Sequence, residues 1–268
     1  MKDKIVIITG ASSGIGRACA IAFSDAGAKV VLAARDLNKL AEIELILKNK
    51  GREVLVVVTD VSKEEDCKQM IETTVSHFGK IDVLINNAGL SMRALFLDLD
   101  LKVLKHLMDV NFWGTVYCTK FALPYLLSVK GMVVGVSSIA GKKGLPARTG
   151  YSASKFAMEG FLETLRIENL KTGLNVLVVS PGYTASNIRN TALSKDGSEQ
   201  GDSPLDEVNL MSSEEVAKHI LKGVMNRKRD IILTFTGKVT VFLNKFFPSF
   251  MDKMVFNHIK NESGSPLK

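Results

Sequence analysis

Six short, strongly apolar runs recur along the chain, at 4–9, 29–33, 53–59, 83–86, 132–137 and 175–180. Most are continuously apolar rather than alternating, the pattern of strands buried on both faces of a parallel sheet. The stretches between them are long enough for crossover helices. Such a succession of βα units predicts one doubly wound α/β sheet with helices on both faces. The chain has 268 residues, 46% of them apolar and 24% charged, which is enough for one domain with a complete core. No repeat or interdomain linker divides it, so residues 1–268 read as a single domain. A polar stretch at 183–212 is long for a structureless loop and reads as a substrate lid.

Composition narrows the chemistry. Cys19, Cys67 and Cys118 are scattered and form no CxxC pair, and His77, His106, His219 and His258 lack metal spacing. Both facts argue against a disulfide framework or a metal site and for a reducing compartment. The apolar run that follows Met1-Lys2-Asp3-Lys4 is too short for a signal-peptide core, and no run reaches the length of a spanning helix. The expectation is a cytoplasmic protein. The net charge of +7 is uneven: Val216–Lys268 holds ten basic and three acidic residues, leaving 25 of each before it. Nucleic-acid binding is not expected, because the basic residues are interleaved with an apolar helical pattern.

"TGASSGIG" follows the first apolar run and opens a helical stretch. Glycines there allow a tight turn and close approach of a ligand. The next helix points its free N–H groups at the turn, which suits a pyrophosphate. Placed between the first strand and first helix, the motif predicts a Rossmann-type dinucleotide site, with Gly10, Ser12, Ser13, Gly14, Ile15 and Gly16 as contacts. An NAD site usually offers a carboxylate at the end of the second strand. This chain has Ala34 and then Arg35, with Arg17 just beyond the glycines. A guanidinium binds a 2′-phosphate that a carboxylate would repel, so the expected cofactor is NADP(H).

In "YSASK", Tyr151 and Lys155 share one helix face with only small residues between them. A tyrosine can give a proton to the oxygen of a carbonyl undergoing reduction. A nearby ammonium favours the phenolate and eases that transfer. Lys155 can reach toward Tyr151 or toward a bound ribose.

Five motifs in register, "TGASSGIG" at 9–16, "NNAG" at 86–89, "SS" at 137–138, "YSASK" at 151–155 and "PG" at 181–182, resemble the short-chain dehydrogenase/reductase family over nearly the whole chain. In finer detail, "SPGYTASN" and the basic, aromatic end of the chain resemble the member 7B group of that family. The resemblance implies Asn111, Ser138, Tyr151 and Lys155 as the catalytic set. Asn111 would hold a water that passes protons to Lys155, and Ser138 would hold the substrate oxygen. Ser137 should face the other way if the strand continues. The resemblance also places Asp60 and Val61 at the adenine, Asn87, Ala88 and Gly89 along the nucleotide, and Pro181, Gly182, Thr184 and Ser186 beside the nicotinamide. Thr184 and Ser186 depart from the family's usual Ile or Val and Thr. Together these imply an oxidoreductase acting on a secondary alcohol or ketone, hydrophobic or lipid-like, in a homodimer or homotetramer. The alternatives are a catalytically silent NAD(P)-binding sensor and an epimerase or dehydratase on the same fold.

From Lys238 onward, Phe242, Phe246, Phe250 and Met254 step by four, as do Leu243, Phe247, Met251, Val255 and Ile259. These ridges predict an amphipathic segment at 238–261, divided into two helices at Pro248. It reads first as a cover over the substrate cleft or a subunit interface. Peripheral membrane contact through its aromatic and lysine residues is the second reading.

Overall fold

The computed structural model describes residues 1–185, 187–201 and 210–267. Seven parallel strands form the sheet: β1 (Ile5–Thr9), β2 (Lys29–Ala34), β3 (Val54–Val58), β4 (Val83–Asn86), β5 (Met132–Val136), β6 (Asn175–Ser180) and a later strand, β9 (Asp230–Ile232). Their order is β3-β2-β1-β4-β5-β6-β9. Side chains alternate across it as the two-residue period of a strand requires. Val6 and Ile8 pack with α1 (Gly14–Asp25), α2 (Leu37–Asn49) and α7 (Ser213–Met225). Ile5 and Ile7 face the other layer, built from α3 (Glu64–Phe78), α5 (Gly114–Ser128) and α6 (Thr149–Glu168). The doubly wound α/β architecture is therefore present, and strand β9 extends it by one.

Side-chain caps open several helices. Asp36 caps α2 by accepting from Lys39 N at 3.1 Å, and Asp100 caps α4 (Leu101–Met108) by accepting from Lys102 N at 2.9 Å. Ser212 and Glu215 form a reciprocal capping box at the start of α7. Between α4 and α5 lies one π-helical turn, Asp109–Trp113, which carries Asn111.

Because β1 and β4 are neighbours, chain connections diverge on either side of them. Ligands of such sheets bind at the carboxyl ends beside that divergence. The stretches 183–185 and 187–201 lie over these ends and are tied down. A short parallel pair joins β7 (Thr184–Ala185) to β8 (Met211–Ser212), Arg93 N donates to Leu193 O at 2.9 Å, and Asp100 N donates to Lys195 O at 2.9 Å. Leu193 also packs with Met92, Val103 and Leu107 in a small satellite core. The remainder of the expected lid, 202–209, lies outside the described residues.

Two helices follow β9: α8 (Phe235–Phe246) and α9 (Pro248–Lys260), with Pro248 opening the second. Their two ridges separate only in part, since Phe247 of the second is exposed and Met254 of the first lines the cavity. Met251 and Ile259 are buried, whereas Phe246 and Phe250 are 63% and 55% exposed. Lys143 pairs with Asp252, and Glu262 is buried beneath α9 against Arg148, holding the helix to the body of the domain. No helix among the described residues is long and apolar enough to cross a membrane.

Candidate active site

One cavity of about 890 Å³ runs across the carboxyl ends of β1, β4, β5 and β6. Its first end is the glycine turn. Gly10 has φ +64°, and a Cβ there would lie 2.8 Å from Ala88 Cα. A Cβ on Gly16 would lie 2.2 Å from the Gly10 carbonyl oxygen, so no larger residue fits either position without backbone movement. Gly16 is therefore a packing residue behind the wall, while Gly10, Ser12, Ser13, Gly14 and Ile15 line the cavity. Ser13 precedes α1 and makes no side-chain cap, so the first N–H groups of this helix have no side-chain acceptor there. A helix N-terminus with a stripped turn in front of it fits a pyrophosphate.

The "NNAG" stretch is pinned to that turn. Thr9 Oγ1 accepts from the N–H groups of Asn87 and Ala88, each at 3.0 Å, and Asn87 Nδ2 donates to Thr9 O at 2.9 Å. Asn87, Ala88 and Gly89 all line the cavity, as do Asp60 and Val61. Asp60 Oδ1 accepts from the Ser62 hydroxyl at 2.7 Å and from Ser62 N at 3.1 Å. Burial works to raise the Asp60 carboxyl, but the Ser62 hydrogen bonds and the Arg35 charge outweigh it and hold it below its ordinary range. Arg35 is exposed at the cavity's edge. Arg17 is not among the lining residues. Lys39, on the first turn of α2, supplies the second cationic group there. Lys39 Nζ pairs at 3.3 Å with the carboxylate of Asp36, which caps the helix and lines the same edge.

At the other end, α6 brings Tyr151 and Lys155 against β5. Lys155 Nζ donates to Val136 O at 2.9 Å and lies 5.9 Å from the Tyr151 ring centroid. Burial pushes Lys155 down to about 8, with Glu159 one turn further along pulling the other way. Burial also pushes the Tyr151 phenol up, opposed by a hydrogen bond from Ser138 and by the charge of Arg148. Ser138 lines the cavity and accepts from Ala140 N at 3.1 Å. Ser137 turns the opposite way, donating to Glu159 Oε1 at 2.6 Å.

Asn111 stands behind the wall. Its Oδ1 accepts from Leu90 N at 2.7 Å, and its Nδ2 donates to Leu90 O at 2.9 Å and to Ser154 Oγ at 2.8 Å. A Cβ on Gly89 would meet Asn111 Oδ1 at 3.1 Å and Lys155 Nζ at 3.4 Å, so the three converge on one point. Pro181, Gly182 and Thr184 line the cavity after β6. Ser186 lies outside the described residues.

The sequence pattern did not single out Glu159 or Arg148. Glu159 continues the helical spacing of Tyr151 and Lys155, a signal that could have found it. Its Oε2 accepts from Lys142 Nζ at 2.6 Å, so it ties the segment after β5 to the middle of α6. Arg148 carried no local signal, because its partner Glu262 lies 114 positions away. Cys67 and Cys118, remote in sequence, are buried thiols with sulfurs 3.5 Å apart.

The short chain dehydrogenase family model matches residues 4–197. The chain belongs to that family. It is 35% identical to mouse Dehydrogenase/reductase SDR family member 7B over 271 residues, covering 99% of this chain and 84% of that protein. It is 36% identical over 257 residues to 11-beta-hydroxysteroid dehydrogenase 1A of Arabidopsis thaliana, covering 93% of this chain and 73% of that one. Among solved structures, the fold matches a short chain dehydrogenase/reductase from Burkholderia phymatum in complex with NAD. The TM-score is 0.84 at 24% identity, over 93% of this chain and 95% of that chain. It also matches an alcohol dehydrogenase from Thermococcus sibiricus complexed with 5-hydroxy-NADP, with a TM-score of 0.76 at 25% identity over 87% of this chain and 96% of that one. The chain is thus an oxidoreductase of this family with a nicotinamide-dinucleotide fold.

Proposed function

We propose that this chain is an NADP(H)-dependent oxidoreductase that interconverts a hydrophobic ketone and its secondary alcohol. The observation that carries the reading is the placement of Ser138, Tyr151 and Lys155 in one cavity whose far end is the glycine turn. The bound nicotinamide supplies or accepts hydride. The chain's part is to hold the carbonyl oxygen and provide its proton. Ser138 donates to that oxygen, and Tyr151 O–H gives up the proton as charge builds there. Lys155, charged, stabilises the phenolate left behind and remains close enough to Gly89 to contact a ribose. Asn111 supports a proton route to Lys155 through water. A sensor that only bound the cofactor would have no use for a half-buried proton donor beside a buried ammonium.

Preference for the 2′-phosphorylated cofactor rests on Arg35 and Lys39 at the edge and on the absence of a carboxylate at Ala34. A hydrophobic substrate rests on α9, where Met251, Met254, Val255 and Ile259 line the cavity. This helix roofs the cleft with Met251, Val255 and Ile259 of one ridge and Met254 of the other. The other ridge, with Phe242, Phe246 and Phe250, is the surface available to a second copy or a bilayer, and a homodimer or homotetramer stays an expectation drawn from the family. Cytoplasmic placement is likewise a proposal. The test is NADPH oxidation against a panel of steroid, acyl-chain and keto-lipid ketones, with cofactor titration of Tyr151→Phe. Turnover that vanishes while NADPH still binds supports the reading. Near-normal turnover by Tyr151→Phe overturns it.

A further inference from the structure

We propose that the outer face of α8 and α9 docks on an anionic bilayer, with the cavity mouth at Met254 turned toward the lipid. The docking stands on the surface itself. The entry of substrate from the lipid rests on the oxidoreductase reading above.

Exposed phenylalanine is the main observation. Six of the chain's thirteen phenylalanines, Phe235, Phe242, Phe246, Phe247, Phe250 and Phe256, lie on these two helices with exposures from 41% to 81%. Phe242 and Phe246 touch, their ring centroids 5.2 Å apart. Phe250 and Met254 repeat the same four-residue step on α9, which keeps them on one helix face. The corner between the helices is Phe247. Its N–H donates to Leu243 O at 2.8 Å and its carbonyl accepts from Met251 N at 3.0 Å, so no polar loop interrupts the apolar run. Single exposed apolar side chains are ordinary, but a contiguous patch of large ones marks a contact surface.

Charge decides the occupant. Lys238, Lys245, Lys253 and Lys260 are all exposed on the same two helices, and no carboxylate among the described residues pairs with them. Asp252 is the one acidic residue between Phe235 and Asn261, and Lys143 already holds it. A two-fold contact would set this patch against its own copy, bringing lysines together with no carboxylate to receive them. Acidic headgroups receive them instead. The aromatic rings enter the boundary of the acyl layer, while each flexible lysine stem leaves its ammonium at headgroup level. Met254 joins this surface to the cavity: it is 51% exposed and also lines the cleft beside Met251 and Val255. An apolar ketone dissolved in the bilayer would enter past Met254 without first crossing open water.

The experiment is co-sedimentation of the full chain with vesicles of phosphatidylcholine alone and of phosphatidylcholine mixed with phosphatidylglycerol. Binding to the anionic vesicles should be about tenfold tighter at low salt and should weaken as salt rises. Phe246→Ser with Phe250→Ser should abolish it. Lys245→Gln with Lys253→Gln should lower it severalfold, and serves if the first variant does not fold. Neither pair should alter kcat/KM for a small water-soluble ketone. Phe246→Trp should shift its emission to the blue on the anionic vesicles, which reports entry of this ridge into lipid. An apolar ketone supplied within those vesicles should be reduced severalfold faster by the unaltered chain than by the phenylalanine variant. Equal rates overturn the entry route. Failure to bind anionic vesicles, or binding kept in full by the phenylalanine variant, overturns the docking. A mass in solution that halves on Phe246→Ser with Phe250→Ser also overturns it, because a second copy then covers this face. Vesicle binding without reduction of any ketone supports the docking and brings down the oxidoreductase reading; reduction of soluble ketones without vesicle binding does the reverse.

Discussion

Lys155 reaches back from α6 to the carbonyl oxygen of Val136, the last residue of β5, at 2.9 Å. That contact fixes the distance between the helix bearing Tyr151 and the strand leading to Ser138. It also draws the ammonium out of water, and the lowering of its pKa to about 8 is the electrostatic result.

On the proposed function, reduction needs Tyr151 protonated and Lys155 charged. With Lys155 titrating at about 8, kcat/KM for ketone reduction should fall as pH rises through that value. Glu159 holds the lysine's pKa up, so Glu159→Gln should move the falling limb to lower pH. A pH–rate profile that does not move on this substitution contradicts the coupling. Glutamine can still accept from Ser137, which separates the charge effect from a simple loss of structure.

The same burial implies a cost to folding. An unfolded lysine titrates near 10.4. From about pH 8 to that value the folded chain binds fewer protons than the unfolded one, so this group makes stability rise with pH in that window. Below pH 8 the whole penalty is present. Lys155→Met should therefore stabilise the cofactor-free chain by about 2–3 kcal/mol at pH 7, with the gain shrinking toward zero as pH approaches 10.5. Urea unfolding across pH 7–10.5 measures it, and a less stable variant at pH 7 would refute the sign.

Cofactor choice should reside at the end of β2. Arg35→Ala should cut kcat/KM with NADPH by about ten- to a hundredfold, the scale of one charge-assisted contact, and should spare NADH. Ala34→Asp should shift preference toward NADH. Equal efficiency with both cofactors in the unaltered chain, unaffected by Arg35→Ala, would show that this edge does not select.

The roof can be separated from the exposed ridge of the same helices. Met251→Ala should raise KM for bulky ketones severalfold more than for small ones, since Met251 is buried against the cavity. Phe246→Ala and Phe250→Ala should leave both values in place, because these side chains face away from it. A larger effect from Phe246 than from Met251 would reverse the assignment of faces.

The six long strands were legible because each is a run of branched apolar residues that only a two-sided sheet can bury. Strand β9 was not. It has three residues, begins at exposed Asp230 after a run of basic residues, and pairs only with β6 at the sheet edge. Its position follows from tertiary pairing rather than from its own pattern. The glycine turn and the Tyr151–Lys155 pair were legible for a different reason: the chemistry demands neighbouring positions. Arg148, Glu262 and the sulfurs of Cys67 and Cys118 depend on contacts between distant segments, for which a single chain carries no local signature. The helical period showed two ridges on α8 and α9 but could not say which faced the cavity, because both are apolar.

The α9 residues that line the cavity, from Met251 to Ile259, lie beyond residue 197, where the family match stops. The glycine turn, Ser138, Tyr151 and Lys155 all lie before it. The proposed proton machinery and the roof over the cleft thus lie in separate stretches of the chain. On the proposed function, substitutions along α9 would reshape the pocket for a different ketone without touching Ser138, Tyr151 or Lys155.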